Sequence, residues 1–311
     1  LDLAIEYREK LAETLDDTLQ KGDGLRQIGR IWEKKGDRER SLEMYVKASG
    51  ILKTHPDSVE MGRVLMNESW VLNRMRKSEE ALDKCNQALG LFEKHQASDD
   101  IAEAHNNLAV FHEQNGDLDK ALEHNEKSLD LFLQVDNKRK IGNTYLSLGY
   151  VHSKRNSLSE ALDSFEKSTA IAENIGNRLG MATSLMAKGR CYLDLADYEN
   201  SESVLRRSLQ MFRDADLGFR IVANDLSLAK VYVEKGDTSM AMDCLNEARE
   251  IAVGQERVSD IAKVDHMEGQ VLIKEGKDPT EKFTDAIKGY ESLGRARDAA
   301  EVEGDLAAYT A

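Results

Sequence analysis

Apolar and small residues along this chain recur at i, i+3, i+4 and i+7, the spacing that lines one face of an α-helix. A short polar break follows each such stretch, often Gly-Asp, and the helical spacing then resumes. Glycine supplies the left-handed position past a helix end and aspartate caps the next helix, so each break reads as the turn of a helical hairpin. The segments GDRERSL (36–42), RKSEEAL (76–82), GDLDKAL (116–122), NSLSEAL (156–162), ADYENSE (196–202) and GDTSMAM (236–242) each begin forty residues after the last. A seventh, GKDPTEK from Gly276, keeps the register at its start and then loses two residues.

Columns between these anchors repeat as well. One is always small: Gly29, Ser69, Ala109, Gly149, Gly189, Ala229, Gly269. Three residues later stands a ring or Leu: Trp32, Leu72, His112, His152, Tyr192, Tyr232, Leu272. After the turn come two further small columns, Ser41, Ala81, Ala121, Ala161, Ser201, Ala241 and then Ala48, Ala88, Ser128, Ser168, Ser208, Ala248. Small residues let two helix axes approach, and the large ones fill the spaces between them. One hairpin cannot bury its apolar faces alone, whereas stacked hairpins can, so the pattern predicts a solenoid.

The small column, the ring three residues on and the alanines of the second helix resemble the tetratricopeptide repeat, with its W-x2-L-G-x2-Y…A-x3-F…A pattern. The stretch EAHNNLAVFHEQNGDLDKALEHNEKSLDL, from Glu103, carries the resemblance best. The forty-residue period exceeds the usual thirty-four, the added helical length lying before the signature at Met61, Ile101, Ile141, Met181, Ile221 and Ile261. That variant is similar to the repeats of kinesin light chain, of Leu-Gly-Asn adaptors and of bacterial or archaeal regulators. It implies an all-α, right-handed superhelical solenoid of about seven helix-turn-helix repeats plus terminal helices. The repeats fall near 22–57, 58–97, 98–136, 137–176, 177–217, 218–257 and 258–294, with a capping helix over 295–311. Residues 1–21 form a further helix, a cap or the tail of a preceding domain. Charged residues replace apolar anchors at Glu68, Lys188, Asp225, Asp265 and Glu268.

Composition narrows the function. Two prolines in 311 residues suit helix throughout, and the net charge of −14 disfavours nucleic acid and anionic membrane as bulk partners. No apolar run reaches the ~18 residues of a membrane span, and Leu1-Asp2-Leu3-Ala4 does not open a signal peptide. Cys85, Cys191 and Cys244 lie far apart, in helical pattern and without zinc spacing, as in a reducing, cytoplasmic setting. A start at Leu1 suggests a segment of a longer protein.

Catalytic chemistry finds no support. Gly22, Gly24 and Gly29 follow no strand, and Gly29 belongs to the small column. His112 and His152 fill the ring column one period apart, where packing explains them, and no third metal ligand accompanies them. The chain therefore reads as a non-catalytic interaction scaffold, without cofactor or metal, that binds a peptide segment of a partner. The alternative is a sensor segment of a larger signalling protein, an ATP-dependent regulator or kinase.

The resemblance implies that the first helix of every repeat lines the groove. Counted from the small column, the inward positions give a peptide-binding set of Arg26, Arg30, Arg63, Met66, Asn67, Trp70, Arg74, Asn106, Asn107, Tyr150, Arg190 and Lys230. Asn67 and Asn107 hold equivalent positions, and amides can bond both N–H and C=O of an extended backbone. Over all seven repeats the inward positions carry ten basic and six acidic residues, a balance of +4 that would attract an acidic segment.

Overall fold

The computed structural model describes residues 17–310, so the predicted helix over 1–21 lies largely outside the described residues. Among these residues the chain is all-α, with fifteen α-helices. It divides into two compact units, the first ending at Arg155 and the second beginning at Asn156.

The first unit contains α1 (Thr18–Lys35), α2 (Arg38–Ile51), α3 (Val59–Arg74), α4 (Ser78–Lys94), α5 (Ser98–Asn115), α6 (Leu118–Gln134) and α7 (Lys138–Lys154). Odd-numbered helices are the first helices of repeats, and even-numbered ones are the second. Each helix packs on its chain neighbour, and successive first helices also touch, α1 on α3, α3 on α5 and α5 on α7. The first repeat starts at Thr18 rather than near residue 22, because Asp17 caps it by accepting from the N–H groups of Leu19 and Gln20.

The second unit contains α8 (Leu158–Asn174), α9 (Arg178–Asp194), α10 (Tyr198–Asp214), α11 (Gly218–Lys235), α12 (Thr238–Gly254), α13 (Val258–Lys274), α14 (Thr280–Ser292) and α15 (Ala296–Thr310). The same stacking runs through it and ends with α15 against α14.

Why the period is forty is visible at the turns. A left-handed residue recurs every twenty positions from Arg76 to Gly276, so the turn between repeats has the same form as the turn within one. At these turns, that at Asn156 apart, the following N–H reaches back five residues, as in Asp37 to the Trp32 carbonyl (3.1 Å), Ala97 to Phe92 (3.0 Å) and Asp237 to Tyr232 (2.8 Å). Asp37 then accepts from the Arg40 N–H (3.0 Å), so one residue closes a helix and opens the next. Position 56 breaks the series. Proline cannot take positive φ, and that junction runs through a 3-10 turn at Leu52–Thr54 instead.

The small columns do what close packing requires. A Cβ on Gly29 would come within 2.4 Å of the Tyr45 ring, and one on Gly269 within 2.3 Å of that of Phe283. Where serine replaces alanine in the second helix, its hydroxyl finds a carbonyl across the hairpin: Ser41 on Gly29 (2.9 Å), Ser128 on Ala102 (2.9 Å), Ser201 on Gly189 (2.7 Å) and Ser208 on Ala182 (2.7 Å). Tyr45, Phe92, Phe111 and Phe132 fill the first core, and Phe165, Phe212 and Phe283 lie in the second unit, all essentially without exposure.

Charged residues at anchor positions are partnered, with one exception. Glu68 meets Lys84 (3.2 Å), and Lys188 pairs with Glu166. Asp265 (2.6 Å) and Glu268 (2.9 Å) share Arg249, with Lys282 on Glu268 at 2.7 Å. Asp225 is fully buried, and neither carboxylate oxygen has a hydrogen-bond partner. Burial, with Glu247 beside it, pushes its carboxyl up to about 8.

Candidate peptide-binding surface

The residue just before each small column is buried in all but one repeat, while the one just after it is exposed or half-buried, and residues on that side of the first helices form the candidate surface. In the first unit, side chains of successive first helices meet in two regular rungs. Six residues before the small column and nine before the next, Arg63 grips Asp100 with both nitrogens (3.0 and 2.8 Å), and Glu103 pairs with Lys140 (2.8 Å) in the same register with the charges exchanged. Four residues after the column and five after the next, Asn73 donates to Gln114 (2.9 Å), and Glu113 pairs with Lys154 (2.5 Å).

These rungs show which of the charges read from the sequence are partnered. Arg26 pairs with Asp23 (2.5 Å) and Lys154 with Glu113, both within the count, while Asp100 on Arg63 and Lys140 on Glu103 lie outside it and offset each other, so the balance of +4 stands. Asp100 and Lys140 were not counted among the inward positions because they lie nine residues before the column, and both sit on the surface. In the first unit Arg30, Lys34 and Arg74 are exposed and have no counter-ion among the described residues.

The remaining predicted residues fall into three groups. Met66 is buried and packs into the core. Trp70 is half-buried with its ring centroid 6.0 Å from that of Phe111, and Tyr150 is half-buried on α7. Asn67 lies within hydrogen-bonding reach of the Tyr45 hydroxyl. Asn106 and Asn107 are half-buried, and neither amide has a partner among the described residues. In the second unit Arg190 is engaged, donating to the Ser227 hydroxyl (2.9 Å) and the Ala223 carbonyl (3.0 Å). Lys230 lines a cleft of about 570 Å³ with Lys274, Glu234, Gln270, Asp305 and Tyr309.

One cluster escaped the sequence reading. His112 does not stand alone: its ring stacks on His124 at 5.4 Å, and His105 Nδ1 lies 2.9 Å from His124 Nδ1. One of those two nitrogens must accept, which disfavours protonating both rings. Burial and the neighbouring rings hold His124 down at about 4, and burial lowers His105. The nineteen-residue spacing from His105 to His124, one helix and one turn, is the signal that could have found the pair. Among the described residues no group of three or more His, Cys, Asp or Glu is placed to hold a metal ion. No helix there is long and apolar enough to cross a membrane.

Family models described as tetratricopeptide repeat match residues 100–174 and 182–214. These are tetratricopeptide repeats. The 182–214 match spans α9 and α10, and the 100–174 match begins in α5. No curated protein matches this chain by sequence. Solved structures do match by fold. A signal-transduction ATPase with numerous domains and a tetratricopeptide-repeat sensor, from Pyrococcus horikoshii, superposes with a TM-score of 0.73 at 14% identity, covering 96% of this chain and 46% of that one. The apo quorum sensor NprR from B. thuringiensis gives 0.69 at 17% identity, covering 97% and 85%. The Rap conjugation gene regulator of plasmid pLS20, in complex with the Phr* peptide, gives 0.66 at 17% identity, covering 90% and 77%. At such identities the likeness is one of fold, and tetratricopeptide folds are typically non-catalytic.

Proposed function

We propose that this tetratricopeptide chain is a non-catalytic, cytoplasmic interaction scaffold that holds an extended peptide segment of a partner protein along its first-helix surface. The observation that carries the reading is the pair Asn106 and Asn107. Two half-buried amides on a first helix have no partner among the described residues, while the rung residues beside them, Glu103, Glu113 and Gln114, are engaged. An amide offers a donor and an acceptor together, the complement of an extended backbone. Trp70 supplies apolar contact on the neighbouring helix. That a fold relative was solved with a peptide bound supports the same use here.

A partner-capture experiment tests it, comparing wild type with Asn67→Ala/Asn107→Ala and Arg63→Glu/Arg74→Glu. Loss of partners in the amide variant, with helix content unchanged by circular dichroism, supports the reading. If both variants keep every partner, the surface of repeats two and three is not the site.

A second reading, a sensor segment of a larger signalling ATPase or kinase, is favoured by the ATPase relative, of whose length this chain spans less than half. A nucleotide-binding or kinase motif in sequence flanking this chain would support it.

A further inference from the structure

At one end of the first unit the rung pattern fails. In the register where Asn73 meets Gln114 and Glu113 meets Lys154, the corresponding pair is Glu33 with Arg74. Glu33 instead accepts from the Tyr45 hydroxyl (3.3 Å), and Arg74 has no counter-ion among the described residues. Arg38 adds a second cation at this level by donating to the Arg74 carbonyl (3.3 Å).

Arg30 and Lys34 lie one helical turn apart on α1, and Trp70 and Arg74 lie one turn apart on α3, in matching positions relative to Gly29 and Ser69. Because α1 packs on α3, the exposed Arg30, Lys34 and Arg74 and the half-buried Trp70 stand on adjacent helices in matching register. Cations near a helix C-terminus are favoured by its dipole, and this position is basic in four of the seven repeats, at Lys34, Arg74, Lys154 and Lys274. Lys34 and Arg74 differ from Lys154, which pairs with Glu113, in having no counter-ion among the described residues.

We infer that Arg30, Lys34 and Arg74, with Trp70 beside them, are the recognition site for acidic side chains of the bound peptide. The inference rests on the peptide-binding reading and names the chemistry of its ligand. Three cations without carboxylate partners among the described residues are complementary to Glu or Asp residues spaced along a strand, and an aromatic face can cover the intervening methylenes. A long polyanion is opposed by the charge of −14 on the chain as a whole, so a short acidic segment fits better than nucleic acid.

The test uses Trp70 as its reporter. Trp32→Phe leaves Trp70 as the sole tryptophan, because the chain has two. The protein is titrated with capped hexaglutamate, capped hexaglutamine and a single-stranded oligonucleotide. The expected result is saturable, salt-sensitive binding of hexaglutamate with a change in Trp70 emission. Arg30→Gln/Arg74→Gln should weaken it about tenfold, at an unchanged Tm. Equal binding by the double variant, no binding of hexaglutamate by wild type, or equal binding of the oligonucleotide would each overturn the inference. The peptide-binding reading is judged separately by capture with the Asn67→Ala/Asn107→Ala variant. That reading can survive when hexaglutamate fails, and can fail when hexaglutamate binds.

Discussion

Single residues carry much of the conformational cost of this chain. Seven non-glycine residues take positive φ at turns, among them Arg76 (64°) and Ala196 (57°), while Gly36, Gly116 and Gly236 serve the same position elsewhere. A Cβ there costs about 1–2 kcal/mol, and the extra freedom of unfolded glycine returns about 0.4–1 kcal/mol of that. Ala196→Gly is therefore expected to stabilise by about 0.5–1 kcal/mol and Gly236→Ala to destabilise by a similar amount, measured by urea denaturation. Asp225 gives a second test. Its carboxyl keeps a proton in the fold up to about 8 but releases it near 4 when unfolded, so stability declines as pH rises from about 4 to about 8. Asp225→Asn should flatten that slope, and an unchanged slope would show that Asp225 is not its source. The turn glycines were legible in the sequence because Gly-Asp pairs mark them. The arginine, alanine and glutamine at the same conformation were not, since only the recurrence of the whole unit forces them there.

At the level of elements, helices and their order followed from the sequence because every hairpin repeats the same columns. What did not follow was pairing between helices distant in sequence. Arg63 and Lys154 looked like free groove cations, but their acids stand about forty residues away on adjacent first helices. Position within a repeat tells which face a residue occupies, and not which neighbour it meets. The same limit hid the partners of Asp265 and Glu268. Arg249 stands between two carboxylates that are each almost fully buried, whereas the Arg63–Asp100 pair is half in water. Arg249→Met should therefore cost about 2–3 kcal/mol, with Lys282 still sharing the burden, against less than about 1 kcal/mol for Arg63→Gln. Thermal melts of both variants would reverse that ranking only if the buried network were dispensable.

Over the whole molecule the three thiols serve as local reporters. Burial pushes Cys85 and Cys244 up to about 12 and Cys191 up to about 11, so none is reactive as a thiolate in the native chain. Cys85 lies in the first unit, and in the second unit Cys191 lies on the first helix α9 and Cys244 on the second helix α12. In arrays of this kind each repeat is stabilised only by its neighbours, so unfolding need not be a single step. Pulse alkylation along a urea gradient should label Cys191 and Cys244 together and Cys85 at its own midpoint. One shared midpoint for all three would show a single cooperative unit.

The twenty-residue cadence of left-handed turns has a bearing on how such a chain can change length. Between Arg76 and Glu256 every junction places a left-handed residue at the same step, so a gained or lost forty-residue cassette there meets its neighbours through an unchanged joint. A single inserted residue within a helix would turn everything beyond it by about 100° and swap its buried and wet faces. Growth by duplication of hairpins is thus open to this chain, and drift by single insertions is confined to its turns.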